Sequence, residues 1–229
     1  MKTNDVLSLS GVSKEFNSKE KKFKALKDIN LTVQRGEYLA ITGKSGSGKS
    51  TLLNMITGID HPTEGRVVVN DVSIRDLNES KLAKFRGANI GIVFQFFQLI
   101  PTLTIKENIL LAMEFVDVIP KSNRINRVTD LLTQVGISAQ ADKMPSALSG
   151  GEQQRAAIAR ALANNPEIII ADEPTGNLDS KTADSINALF YSLVESGKTV
   201  IVVTHERDSN ARYQRVVNLV DGEIESSKN

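Results

Sequence analysis

Cysteine is absent from the 229 residues of the sequence, which excludes disulfide scaffolds, thiolate nucleophiles and cysteine-ligated metal sites. An excess of charge of either sign is also absent, because 28 Lys and Arg against 27 Asp and Glu give a formal net charge of +1. Such a balanced chain lacks the broad cationic face of a non-specific nucleic-acid binder, so no nucleic acid is expected as a partner. No run reaches the roughly 18–20 apolar residues of a membrane-spanning helix, so membrane contact is expected to come through another chain.

Hydrophobic patterning in the first part of the chain predicts an antiparallel hairpin followed by a buried strand. Apolar and polar residues alternate over residues 7–16 and 26–33, and the Lys-rich stretch 17–24 predicts the connection between them. Tyr38–Thr42 is a continuous apolar run that precedes a glycine-rich turn and a helix-like segment, residues 50–57. A strand buried on both faces before such a turn is typical of a parallel βα unit.

The remaining sequence predicts a helical insert and then a return to alternating strands and helices. Residues from about 81 to 155 show helical spacing, whereas 168–171 and 199–204 are short β-branched runs. We therefore expect a single α/β domain over the whole chain, in which residues 1–80 and 156–229 form the core with an N-terminal antiparallel β subdomain. The helical part is expected to be a subdomain, and the chain to end in a polar stub.

A phosphate-binding motif lies directly after the predicted buried strand. Residues 43–50 have the sequence GKSGSGKS and match the pattern G-x-x-x-x-G-K-[ST] in its strand-loop-helix setting. Glycines allow backbone N–H groups to turn towards phosphate oxygens, and Lys49 adds a charge for the outer phosphates, while Ser50 offers a hydroxyl to Mg²⁺. The alternative, a flexible turn with a solvated lysine, is disfavoured by this setting. The predicted nucleotide-binding residues are Gly43, Lys44, Ser45, Gly46, Ser47, Gly48, Lys49, Ser50 and Thr51.

Two adjacent carboxylates follow the apolar run 168–171. They lie at the carboxyl end of a predicted buried strand, where parallel sheets place their ligands. Asp172 is predicted to bind Mg²⁺ directly or through water, and Glu173 to polarise a water for attack on the γ-phosphate. A solvated acidic pair at the start of a helix is the alternative, which the preceding phosphate loop makes less favoured.

A second segment suited to anions precedes the alanine-rich stretch 153–163, which predicts a helix. Ser149 and Glu152 have the spacing of a capping box, and Gly150 and Gly151 weaken the first turn unless a ligand has to approach the backbone. Because one nucleotide needs one phosphate loop, these four residues are predicted to contact a nucleotide held by another copy of the chain. An ordinary capped helix with a glycine hinge is the alternative.

The motifs occur in the order seen in ATP-binding cassette (ABC) ATPases, which the chain resembles over nearly its whole length. This resemblance implies a P-loop NTPase (RecA-like) core and the ligands ATP and Mg²⁺. The segment VFQ at 93–95 and LIPTLT at 99–104 are similar to the branch of lipoprotein-releasing, macrolide-exporting and cell-division cassettes, LolD, MacB and FtsE. The motifs that carry the resemblance are residues 43–51, Gln95, LSGGE at 148–152, the acidic pair, NLD at 177–179 and His205.

The resemblance also implies roles for four residues outside the phosphate loop. Gln95 would contact Mg²⁺ or the attacking water and report the γ-phosphate to the membrane partner, although alone it is a polar residue at a strand end. Asp179 would cross a dimer interface, although alone it predicts a helix N-cap. His205 would act in catalysis beside the γ-phosphate, together with Glu173 and Lys49. Phe16 occupies the place of a tyrosine that stacks on adenine, with a core phenylalanine as the alternative.

The stretch from Gln95 to Leu103 holds more apolar side chains than an ordinary loop should expose. It is predicted to accept an amphipathic helix of a transmembrane permease. The alternative is that these side chains join the helical insert to the core.

The leading hypothesis is a homodimeric ATPase subunit that binds two Mg-ATP and drives a separately encoded permease from the cytoplasmic face of the membrane. A mechanotransmitter that resembles FtsE and regulates an extracytoplasmic enzyme without transport is the alternative. A cassette acting on nucleic acid or ribosomes is disfavoured, because such proteins usually have paired cassettes or long coiled-coil inserts. A phosphotransferase would leave residues 148–152 without a purpose.

Overall fold

Two sheets and six α-helices make up the described part of the chain, which in the computed structural model comprises residues 4–17, 22–204 and 212–228. The strands are β1 (Asp5–Asn17), β2 (Lys22–Gln34), β3 (Tyr38–Thr42), β4 (Glu64–Val69), β5 (Val72–Ser73), β6 (Ile90–Val93), β7 (Ile168–Asp172), β8 (Thr199–Thr204), β9 (Arg215–Val220) and β10 (Glu223–Lys228). The helices are α1 (Lys49–Thr57), α2 (Glu79–Asn89), α3 (Ile105–Val116), α4 (Lys121–Gln134), α5 (Gly150–Ala161) and α6 (Ser180–Glu195).

The larger sheet is parallel apart from one edge strand. Its order is β10-β9-β3-β8-β7-β6, and only β10 runs antiparallel to its neighbour. All five residues of β3 are buried, as a strand covered on both faces requires. Parallel strands place their carboxyl ends at one edge, so the loop after β3 and the end of β7 lie on the same side of the sheet.

The smaller sheet, in the order β2-β1-β4-β5, confirms the predicted N-terminal hairpin. Its strands pair antiparallel throughout. Helix α1 lies between the two sheets, because Leu52, Met55 and Ile56 are fully buried in one apolar cluster with residues of both. The phosphate loop, which precedes α1, is therefore fixed by two sheets.

A second apolar cluster joins α3, α4 and α5 to the opposite face of the larger sheet. It includes Met113, Leu131 and Ile158 of these helices and Ile169 of β7. Each buried apolar side chain of this kind stabilises the fold by roughly 1.5–3 kcal/mol. Together they hold the helical region firmly against the core.

Two local expectations are wrong. The region expected to be helical contains the strand β6, which pairs with β7 in the larger sheet. Four residues are too few to show a strand period between two helices. The expected polar stub after Ile224 is part of β10, which pairs with β9 up to Lys228. An edge strand needs few apolar residues, so the polar sequence of β10 gives no signal of a strand.

In residues 4–17, 22–204 and 212–228, no helix has the length and apolar character that crossing a membrane would need.

Candidate functional site

The loop between β3 and α1 is shaped by glycines that approach other strands closely. A Cβ on Gly43 would collide with the main-chain carbonyl oxygen of Leu219 in β9. A Cβ on Gly48 would lie 2.7 Å from the carbonyl oxygen of Ala25 in β2, and Gly48 has a φ of +104° at the N-terminus of α1. Both positions therefore exclude any side chain, and the loop lies tightly against its two neighbouring strands.

Lys49 lies inside this loop. Its side chain is buried, and its Nζ donates to the carbonyl oxygens of Gly43 at 2.8 Å and Lys44 at 2.9 Å. The ammonium group is thus held at the centre of the loop by main-chain oxygens, while the side chain of Lys44 is exposed. A phosphate entering the loop would offer Lys49 stronger, charged acceptors in place of these carbonyls.

A cavity of about 620 Å³ opens beside the loop. The end of β7, with its carboxylates, and the loop after β3 meet at this cavity, although about 120 residues separate them along the chain. Its volume is in the range of small-molecule sites, and it combines loop N–H groups, a cation and a carboxylate. The residues that line it are Phe23, Ala25, Ser45, Gly46, Gly48, Lys49, Ser50, Thr51 and Glu173.

Glu173 adopts an uncommon backbone conformation, with a φ of +45°. Its N–H donates to the carbonyl oxygen of Val203 in β8 at 2.8 Å, and its own carbonyl oxygen accepts from the N–H of Gly176 at 3.2 Å. Left-handed backbone at a bulky residue persists only where the surroundings hold it, and such positions concentrate at functional sites. In this backbone conformation Glu173 forms part of the cavity wall.

The ionised form of the neighbouring carboxylate, Asp172, is disfavoured in the absence of a cation. Burial raises the pKa of Asp172 above its ordinary value of 3.8, the adjacent Glu173 raises it further, and Lys49 lowers it. A divalent cation beside Asp172 would favour its ionised form, and oxygen atoms are the ligands that Mg²⁺ prefers.

Asp172→Asn is expected to raise the melting temperature of the nucleotide-free protein in EDTA by about 2 °C at pH 7. A carboxyl whose pKa is raised by folding contributes stability below its unfolded-state pKa and loses that contribution as the pH rises through its folded-state pKa. The gain should therefore shrink as the pH falls towards 4. Thermal scans between pH 4 and pH 8 provide the check, and a gain that does not depend on pH would contradict it.

Gln95 lies against the loop that follows Glu173. A Cβ built on Gly176 would be 3.2 Å from its Nε2, and its carbonyl oxygen accepts from Nδ2 of Asn177 at 3.4 Å. Gln95 is not among the described residues that line the cavity, so the structure places it beside the loop that follows Glu173.

The capping box at the start of α5 is confirmed. The N–H of Ser149 donates to Oε2 of Glu152 at 2.8 Å, and Oγ of Ser149 accepts from the N–H of Glu152 at 3.4 Å. The hydrogen bonds to Ser149 lower the pKa of Glu152. Gly151 has a packing reason to be glycine, because a Cβ there would lie 2.6 Å from Cγ2 of Thr182 in α6. None of the described residues 149–152 lines the cavity.

Asp179 is the N-cap of α6 in this structure. Its Oδ1 accepts from the N–H of Thr182 at 3.0 Å, and its Oδ2 accepts from Oγ1 of the same residue at 2.6 Å. These hydrogen bonds lower the pKa of Asp179, so the carboxylate is ionised at neutral pH. His205 lies outside the described residues.

The aromatic side chain in the cavity wall is Phe23, and it pairs with Phe16 across the hairpin. Phe23 is 60% exposed and Phe16 45%, and Nζ of Lys14 lies 5.1 Å from the centroid of the Phe16 ring. Either ring can offer a face to a planar base. The sequence pattern does not identify Phe23, because residues 17–24 are mostly polar; one aromatic residue among lysines is the available signal.

Comparison with known proteins decides the family. A family model described as ABC transporter matches residues 26–176. The chain belongs to the ABC transporter family. This match contains the phosphate loop, Gln95, the start of α5 and the acidic pair.

The cassette is similar to several named proteins over most of its length. The ABC transporter ATP-binding protein MJ0796 of Methanocaldococcus jannaschii is 46% identical over 96% of this chain and 95% of its own. The lipoprotein-releasing system ATP-binding protein LolD 1 of Rhodopseudomonas palustris is 43% identical over 96% of this chain and 98% of its own. The probable syringafactin export ATP-binding/permease protein SyfD of Pseudomonas syringae is 43% identical over 96% of this chain and 33% of its own.

A solved structure confirms the expected P-loop NTPase fold of the cassette. The dimeric, post-hydrolysis structure of MJ0796 with ADP and Pi has a TM-score of 0.89, with 45% identity over 97% of this chain and 98% of that chain.

Proposed function

We propose that the chain is the ATP-binding and ATP-hydrolysing subunit of an ABC transporter, which dimerises on two Mg-ATP and drives a separately encoded transmembrane permease. One observation carries the proposal: Glu173 lines the same cavity as the glycines and the lysine of the phosphate loop. A carboxylate in that position can take a proton from a water directed at the terminal phosphate. Release of inorganic phosphate from Mg-ATP by the purified chain is the basic test.

Catalysis in this cavity would consist of positioning and charge stabilisation. Lys49 and the loop N–H groups hold the phosphates, Glu173 orients the attacking water and accepts its proton, and His205 stabilises charge at the γ-phosphate. Among the described residues, Phe23 in the cavity wall and Phe16, which pairs with it, would offer rings to the adenine. Ser50, Gln95 and Asp172 would hold Mg²⁺, which supplies positive charge to the phosphate oxygens when bound.

Dimerisation explains why the start of α5 does not line the cavity of its own chain. The capping box uses the N–H groups of Ser149 and Glu152, so those of Gly150 and Gly151 in the first turn of α5 would be the donors to a phosphate. A head-to-tail dimer would place this end, with Asp179 nearby, against the nucleotide of the partner. The structure of MJ0796 with ADP and Pi is dimeric, which supports dimerisation of this chain.

Ser149→Arg in a Glu173→Gln background is expected to abolish the ATP-dependent dimer while each monomer still binds Mg-ATP. The larger, charged side chain would occupy the space that the partner's nucleotide needs, and the cavity of the same chain is left intact. Light scattering with and without Mg-ATP measures the dimer, and titration with ATP measures binding. Ser122→Arg, on the exposed first turn of α4, is the matched control and should dimerise normally. Dimers that persist in Ser149→Arg would contradict the shared site.

The permease is expected to dock beside residues 95–103, here named the docking loop. Phe96 of this loop is 69% exposed, and Phe115 of α3 is 74% exposed. A groove of about 400 Å³ lies beside this loop, and Ala83 of α2, Phe94 and Phe115 contribute to its lining. Such an apolar groove suits an amphipathic helix, and a relative named as an ATP-binding/permease protein supports a permease as its source. The chain would then be peripheral, at the cytoplasmic face of the membrane.

A further inference from the structure

The docking loop has a strained backbone in its first half. Phe97 and Gln98 have φ values of +56° and +54°, in the left-handed region, and neither is a glycine. Two consecutive bulky residues adopt this conformation only where neighbouring groups hold it.

Arg160 of α5 holds this half of the loop. Its Nη2 donates to the carbonyl oxygen of Phe97 at 3.0 Å, and its Nη1 donates to the carbonyl oxygen of Gln98. Burial lowers the pKa of Arg160, yet a guanidinium stays charged in proteins. In the described part of the chain no carboxylate pairs with Arg160. The two main-chain oxygens are therefore the acceptors that stabilise its positive charge. If the loop left this conformation, a half-buried cation would lose both acceptors.

The second half of the docking loop is held from a different helix. Asn108 of α3 is buried, and its Nδ2 donates to the carbonyl oxygens of Ile100, Leu103 and Thr104 at 3.0–3.2 Å. Its Oδ1 accepts from the N–H of Ile100 at 2.7 Å. Asn108 therefore fixes this half to α3, whereas Phe97 and Gln98 in the first half accept hydrogen bonds from Arg160 of α5.

Helix α5 reaches both sides of the candidate catalytic site. Gln154 is fully buried, and its Nε2 donates to the carbonyl oxygen of Pro174, the residue after Glu173. Arg160 lies six residues further along, roughly 9 Å at the rise of an α-helix. The helix whose N-terminus faces the partner's nucleotide in the proposed dimer thus contacts the loops that carry Glu173 and Gln95.

We propose that Arg160 is a positioning residue that ties the docking loop and Gln95 to α5, so that α5 cannot shift without moving the loop. The inference rests on the proposed function, because the shift is the response of α5 to the nucleotide of the partner chain. Arg160 touches no reacting atom; it sets where Gln95 and the permease-facing side chains lie when the dimer forms.

The absence of tryptophan from the chain allows a direct test. Phe96→Trp places a single fluorophore on the docking loop, in a Glu173→Gln background in which ATP is not consumed. Addition of Mg-ATP is expected to change the emission of Trp at this position as the dimer forms. Arg160→Met, which keeps the apolar stem but donates no hydrogen bond, is expected to abolish most of that change while the dimer still forms by light scattering.

A matched control comes from the same helix. Arg155 donates to the carbonyl oxygen of Val135 at 2.6 Å, away from the docking loop, so Arg155→Met should leave the emission change intact. In chains that retain Glu173, Arg160→Met should lower kcat by roughly 10- to 100-fold with KM within about twofold, because misplacement of Gln95 affects the reaction more than ATP binding. Arg160→Lys, which keeps the charge but loses the two-pronged geometry, should fall between.

An emission change in Arg160→Met equal to that of the parent, or no emission change in a parent that dimerises, would overturn the role of Arg160 and leave the proposed function standing. Failure of the parent itself to dimerise with Mg-ATP would overturn both. If Arg160→Met is unfolded by circular dichroism, Arg160→Lys carries the test, and parental emission and kcat in that variant would overturn the proposal.

Discussion

Glu173→Gln is expected to lower the rate of ATP hydrolysis by roughly 10²- to 10⁴-fold, the range that a positioned general base contributes. The amide has nearly the shape of the carboxylate, so the strained loop around it and the cavity should be kept. It cannot accept the proton of the attacking water, and bound ATP should therefore persist. Phosphate release measures the loss, and light scattering should show a dimer that accumulates with Mg-ATP.

The control for this substitution is Glu195→Gln, which removes a carboxylate at the exposed end of α6. It should hydrolyse ATP at the parental rate. Turnover in Glu173→Gln within a few fold of the parent would remove Glu173 as the base. A variant that binds Mg-ATP but stays monomeric would mean that a partner has to assemble the two cavities, or that the start of α5 is only a capped helix.

Lys49→Met should weaken ATP binding by roughly 100-fold, because charged hydrogen bonds each contribute about 1.5–3 kcal/mol and 1.4 kcal/mol corresponds to a factor of ten. The side chain of methionine fills a similar volume, and the carbonyl oxygens of Gly43 and Lys44 lose their donor. Binding has to be measured by titration in the Glu173→Gln background, so that hydrolysis does not obscure the equilibrium.

Lys27→Met is the matched control for this loss. Lys27 also lies near the loop but forms an exposed ion pair with Glu223 at 3.1 Å, and such pairs contribute little. Its removal should leave ATP affinity within about twofold. Equal affinities in the two variants would show that the charge of Lys49 does not reach the phosphates.

The parts of the fold that were predictable are those with strong local signals. Tyr38–Thr42 and Thr199–Thr204 have the predicted bounds, since short apolar β-branched runs can only be buried strands in this setting. The capping box at Ser149 follows from four consecutive residues. The phosphate loop was predictable because its backbone geometry dictates its glycines.

What could not be predicted depends on pairing across the chain. The place of Phe23 in the cavity wall requires the register of the N-terminal hairpin, in which it opposes Phe16. The hydrogen bonds of Arg160 cross 62 or 63 residues, and an arginine in an alanine-rich helix has no local mark of such a contact. The contact between Gly151 and Thr182 shows a further limit, since a glycine predicted from ligand approach is also explained by helix packing.

The neighbours of β3 have a consequence for how the protein is made. This strand pairs only with β8 and β9 among the described strands, and the N–H of Gly222 donates to the carbonyl oxygen of Ser47 at 3.0 Å. The phosphate loop thus rests on residues synthesised about 170 positions later. A nascent chain emerging from the ribosome would carry the complete motif long before β9 and Gly222 are available to support the loop. Truncated translation products that lack these residues should therefore not bind ATP.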